Sequence, residues 1–319
     1  MAPMSRPRDN RAALVAVTAA GRVSAPSVYP EAVRVDREGR AFLLPGTGGV
    51  HPGVHVGDPA ARLLGDHLMV GASIVDANAA AAEPGALHLL TCVGNRVRTA
   101  DGEFLGVVAG KRGGLAPGFL PPCLVAVEAP RDRLDRLVPG AGVVVEAIGR
   151  GFALPDWPDV LLMNLAPNVL DALPIREHHG RLEVSVRTVV PSRAAGAGLG
   201  QDAWIGDVEI MDLALLLPSR ADLAFGDLVA FDAIDARYGR YWRPGTVSVG
   251  IVSHGPSPAP GHGIGVTMLV AGSVEQFGAV VDDSATLAPV LRRLAGSGPG
   301  PRRRAAAGNR RASSPGART

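Results

Sequence analysis

The stretch Ser248–Gly272, SVGIVSHGPSPAPGHGIGVTMLVAG, decides how the chain is read. VSVGIV before its centre and IGVTMLV after it are short β-branched apolar runs, the pattern of two strands. Between them lies a loop rich in glycine and proline, bracketed by His254 and His262. If the two runs pair, both imidazoles stand near the mouth of one hairpin and can converge on one point, as a metal ion requires. The plain alternative is two polar loop residues that cap backbone groups.

The same texture extends through the chain. Its 41 glycines and 27 prolines separate short runs rich in Val, Ile and Leu, among them AALVAVTA, LHLLTCVGNRVRT, CLVAVEA, GVVVEAIG and DLVAFDAI. Several runs alternate in strand fashion: Val33 and Val35 against Arg34 and Asp36, and Leu182, Val184 and Val186 against Glu183, Ser185 and Arg187. The expected fold is mainly β (a β-rich α+β class), with small barrel or sandwich lobes and few short helices. A short turn or helix is expected around residues 58–69, another helix on NLAPNVLDALPI, and a C-terminal helix capped by Ser284 and ending at Gly296. The expected organisation is a disordered basic tail over 1–12, a β-rich lobe over 13–150, and a second over 151–285 that carries the histidine hairpin. A short helix and a second disordered basic tail then occupy 286–319.

Composition narrows the partners. The 319 residues suffice for a sizeable core, and a net charge of +2 creates no field that demands nucleic acid or a membrane. Aromatic content of 4% argues against a stacking platform for single strands. There is no apolar run long enough for a membrane span and no signal-peptide pattern. Two cysteines, Cys92 and Cys123, make no disulfide framework and fit a reducing cytoplasmic setting. Lys111–Gly114, in GKRGG, reads as a solvated basic turn, with RNA binding as its functional alternative.

Among the other histidines, His178 and His179 read as surface turn residues, and His88 as a packed strand residue. His51 and His55 are second-rank ligands because Pro52 and Gly53 oppose a helix between them. His67 follows Asp66, a carboxylate able to orient an imidazole. In GDVEIMD, Asp207 and Glu209 would share one face of a strand, an arrangement that a cation would relieve. The loop from Arg237 to Arg243, with Tyr238 and Tyr241, offers a clamp for an anionic or ring-shaped substrate. GAGLGQ (196–201) reads as a flexible loop, not a dinucleotide fingerprint.

GDHLMVGAS, CVGNRV, GVVAGKRGG, MNLAP, GAGLGQ, EIMD, RYGRYWRPGTVSVGIVSHG and GHGIGV occur in this order. Together they resemble the domain of unknown function 4438 family over roughly residues 15–275. The resemblance implies a β-rich fold with matching polar positions at His67, Asp207, Glu209, His254 and His262; a shorter acid often stands in the family at the Glu209 position. One branch of the family is similar to the oxazinone-forming enzyme of nucleoside-antibiotic biosynthesis. That likeness implies a mononuclear non-haem iron oxygenase that remodels a hydroxylated heteroaromatic ring. Its expected metal ligands are His67, Glu209, His254 and His262, holding Fe(II), with Asp207, Tyr238 and Arg243 as catalytic or substrate-contacting residues. The expected partners are a small heterocyclic substrate and O2, with an assembly of identical subunits left open. Two other readings remain: a zinc or manganese hydrolase or cyclase on the same residues, and a non-enzymatic β-barrel that binds RNA or protein through Lys111, Arg112 and the basic tails.

Overall fold

The computed structural model describes residues 6–26, 34–77, 85–113, 123–195, 210–212, 222–237, 241–259 and 263–297. The N-terminal part contains strands β1 (Val17–Val23), β2 (Arg34–Val35), β3 (Ala41–Phe42), β4 (Val50–His51) and β5 (Gly71–Asp76). Helix α1 (Ala86–Leu90), β6 (Arg96–Thr99), β7 (Phe104–Arg112), β8 (Leu124–Glu128), helix α2 (Arg131–Leu134) and β9 (Gly142–Ala147) follow. Strands β1, β9, β6, β7, β8 and β5 are neighbours in that order, and β5 pairs back onto β1. The result is a closed six-stranded antiparallel barrel with β4 added on β5. Closure leaves no bare sheet edge among the six.

The second part contains β10 (Leu161–Leu162), α3 (Pro167–Leu170), β11 (Ile175–His178), β12 (Arg181–Val186), β13 (Thr188–Pro191) and β14 (Ile210–Asp212). It continues with β15 (Leu228–Asp235), β16 (Tyr241–His254), β17 (Gly265–Ser273), β18 (Phe277–Val281) and α4 (Ala288–Gly296). Its main sheet runs β10–β17–β16–β15–β13, with β14 also on β17. A three-stranded sheet, β11–β12–β18, flanks it. The mainly-β expectation is met, and the hairpin read from Ser248–Gly272 is the β16–β17 pair.

Barrel strands β7 and β8 are buried on both faces. Leu105, Val108, Val125 and Val127 fill the barrel interior, while Phe104, Val107, Ala109, Leu124 and Ala126 pack outward into a core shared with the second sheet. This double burial corrects the basic-turn reading: Lys111 and Arg112 are the last residues of β7, 0% and 6% exposed. Local glycines suggest a turn, but the cross-strand partners Val125 and Leu124 keep the chain extended.

Other expectations shift for similar reasons. Of the short turn or helix expected over residues 58–69 the turn is what forms, with isolated bridges, because the backbone bonds to distant segments: Ala60 N–H to Leu223 O, and Asp66 N–H to Pro45 O. His88 is buried, but on α1 and not on a strand. The C-terminal helix begins at Ala288, and Ser284 hydrogen-bonds Asp282 instead of capping it. Residues 6–11 lie against the second part through Arg6–Asp171, Arg8–Asp156 and Arg11–Asp171 ion pairs, where a disordered tail was expected. No helix among the described residues is long and apolar enough to cross a membrane.

Gly71 sits at the bulge where β5 crosses β8, with φ +56°. A Cβ there would overlap the Val127 carbonyl oxygen. Gly71→Ala is therefore expected to cost about 3 kcal/mol, from backbone strain and overpacking together. Chemical denaturation measures this, and a loss below about 1 kcal/mol would contradict the described crossing.

Candidate functional site

His254 closes β16 and pairs in register with Gly265, the first residue of β17. The glycine is required, since a Cβ at that position would overlap the His254 ring at Nε2. The other side of His254 forms an isolated antiparallel bridge with Met69. Two further bonds lock this bridge: Gly255 N–H to Leu68 O at 2.8 Å, and His67 N–H to Pro256 O at 3.1 Å. Bonded in this way, His67 adopts φ 57°, the left-handed region, with its side chain 1% exposed. A buried non-glycine residue held there stores strain, and such strain collects at functional sites.

The His67 and His254 rings lie 5.4 Å apart between centroids, tilted by 58°. Each Nδ1 faces an oxygen: Asp66 Oδ1 at 2.8 Å from His67, and Gly255 O at 2.8 Å from His254. A carbonyl oxygen can only accept, and so can an ionised carboxylate. Both rings therefore carry a proton on Nδ1, the tautomer in which a neutral ring has its lone pair on Nε2. Burial pushes the His67 imidazolium down to about 3; the hydrogen bond to Asp66 opposes this, and the charges of Arg112 and His254 reinforce it. The neutral form is the one that binds metals.

A second polar group lies against the same hairpin. Lys111 donates its backbone N–H to Thr267 Oγ1 at 2.9 Å, and its Nζ to Asn164 Oδ1 at 2.8 Å. Arg150 Nη2 reaches the same Asn164 oxygen at 3.2 Å. Asn164, at φ 44°, turns the chain away from β17 and caps Met268 O with its Nδ2 at 3.2 Å. Sequence reasoning missed Asn164 and Arg150. The MNLAP motif contained the signal, but its asparagine reads as an ordinary helix start.

The structure brings His67 and His254 together and treats the other expected residues differently. Asp207, Glu209, Tyr238 and His262 lie outside the described residues, as does GAGLGQ. Arg243 does not join the histidines: it stands eleven residues up β16 from His254, about 35 Å along an extended strand. Its guanidinium pairs with Asp235 at 3.2 Å, and Arg237 is held by Asp235 and Asp159. Arg237 and Arg243 thus belong to an ion-pair group at the end of the strand opposite His254. His55 serves Glu128, with Nδ1 2.9 Å from Oε1, and burial holds the pKa of His51 below its ordinary value. No group of three or more His, Cys, Asp or Glu gathers as metal ligands among the described residues.

The depressed His67 value fixes the sign of a pH effect. An imidazole whose folded pKa is below its unfolded value of 6.5 binds more protons when the chain unfolds. Its contribution is complete above 6.5 and is lost progressively as pH falls toward 3. Metal-free protein should melt at falling temperatures across that window, and His67→Asn should flatten the dependence. Equal slopes for both proteins would show that His67 is not held neutral.

Two family models together match residues 33–291 without a gap: the N-terminal domain of unknown function DUF4438 over residues 33–171, and its C-terminal counterpart over 172–291. The crystal structure of TM1086 superposes with a TM-score of 0.77 at 28% identity, covering 90% of this chain and 100% of that one. A search of curated proteins found no significant match. With both halves matched, the chain belongs to the DUF4438 family.

Proposed function

We propose that this protein is a mononuclear metal-dependent oxygenase, with His67 and His254 holding one Fe(II) ion. The observation that supports this is the tautomer of the pair. Two buried imidazoles, 5.4 Å apart, each point an Nδ1–H at a fixed acceptor, the tautomer of a histidine that ligates through Nε2. The Asp66–His67 contact is the outer carboxylate that orients and strengthens a ligating imidazole, and Gly255 O does the same for His254. The residues present therefore fit a divalent ion of borderline softness.

Iron so held would supply one-electron chemistry with O2, and an electron-rich hydroxylated heterocycle can itself supply the electrons. The chain's own contribution is to keep His67 neutral, fix both rings and exclude water, with each histidine 1% exposed. The substrate proposed is a small hydroxylated heteroaromatic ring, in line with the oxazinone-forming likeness. The same imidazoles would also serve zinc or manganese in a hydrolase or cyclase, which turnover without O2 would reveal. The RNA-binding reading loses its main anchor, because Lys111 and Arg112 are buried in β7.

Elemental analysis of protein purified and reconstituted anaerobically tests the proposal. About one iron per chain is expected, lost in both His67→Ala and His254→Ala. Oxygen uptake with hydroxylated pyridines should then depend on that iron. Metal-free protein after reconstitution with iron, zinc and manganese would overturn the reading.

A further inference from the structure

Two imidazoles do not make a complete site for a divalent ion, and the backbone shows where an acid arrives. Strand β14 pairs antiparallel with β17, with Ile210 opposite Thr267, Met211 opposite Val266 and Asp212 opposite Gly265. Gly265 is in turn opposite His254, and His254 is bridged to Met69. One register row therefore crosses four segments, Asp212–Gly265–His254–Met69, and His67 lies two residues before its last member. The row's second member is the glycine whose missing Cβ leaves room for the His254 ring.

The edge of β17 explains why β14 can be there. Strand β10 covers that edge at Val270 and Ala271, then turns off at Asn164, which caps Met268 O through its side chain. Strand β14 takes over at Thr267. A chain that breaks its own strand to admit three residues of another, two positions from a strained asparagine, has spent ordered backbone on placing that segment. Among the described residues, Asp212 is the acid of GDVEIMD and stands on this row.

We propose that Asp212, set by β14 on the register row of Gly265 and His254, is the acidic residue of the His67–His254 centre. The proposal rests on the metal reading above and reassigns the carboxylate expected at Glu209. Two imidazoles with one carboxylate are a donor set that suits Fe(II) and would leave it room for substrate and O2.

Cobalt(II) titration of the metal-free full chain, followed by its visible absorption, is the test. Asp212→Asn should weaken cobalt binding by about 100-fold or more, beyond what loss of an outer partner costs, and change the absorption envelope. Asp212→Glu should restore part of the affinity, while Glu209→Gln and Asp207→Asn should bind as the parent does. Unchanged thermal melting of metal-free Asp212→Asn would show that the strand still forms. If Asp212→Asn binds cobalt like the parent while Glu209→Gln or Asp207→Asn does not, the assignment is wrong and the two-histidine reading survives. If the parent itself binds no cobalt, iron or zinc, both fall together.

Discussion

Strand β7 of the barrel passes so close to the β16–β17 hairpin that no side chain fits between them at Gly110. A Cβ there would lie 2.5 Å from the Ser253 Cβ. At the next residue Thr267 Oγ1 serves both backbone groups of Lys111, accepting from the N–H at 2.9 Å and donating to the carbonyl at 3.2 Å. This hydroxyl replaces a strand partner where two sheets meet at an angle, so neither buried backbone group is stranded. The approach sets the rest. It buries the end of β7, carries Arg112 close enough for its charge to act on His67, and puts the end of β16 beside the segment before β5.

The centre that results is expensive to maintain. His67 occupies a left-handed conformation, its ring is kept from protonating, and its neighbour Asp66 is a buried carboxylate. Each feature alone would favour a different residue: glycine for the backbone, a leucine for the core. They are retained together because the backbone around His67 is tied on both sides, to Pro256 and to Gly255. A site fixed by backbone bonds from two sheets holds its imidazoles without relying on long side chains, which suits chemistry that demands small tolerances.

Much of this was legible in the sequence wherever local pattern and global environment agree. The β16–β17 hairpin could be read because its runs alternate correctly and its loop carries strong breakers. His254 could be found from its place at the strand end, and His67 from the Asp66 beside it. Legibility failed where distant chain decides. Lys111 sits among glycines that announce a turn, yet Thr267 and Asn164, far along the chain, make it a core residue. Residues 58–69 have a plausible helical spacing, but their amides and carbonyls are consumed by segments such as 223–225. A pattern shows which residues alternate, not which one stands opposite a particular glycine, so the register of Asp212 on Gly265 was not legible.

The bridge between Met69 and His254 spans most of the chain, and that has a temporal consequence. The barrel strands, through residue 147, are complete before any part of the hairpin exists on the ribosome. His67 and His254 are separated by 187 residues, which takes roughly 10 to 40 s to synthesise. Throughout that interval His67 is an ordinary imidazole on an unfinished surface, able to take a proton or stray metal ions. The pair can form only once the hairpin has emerged, and bringing its two segments together closes a long loop, with the entropy cost that entails.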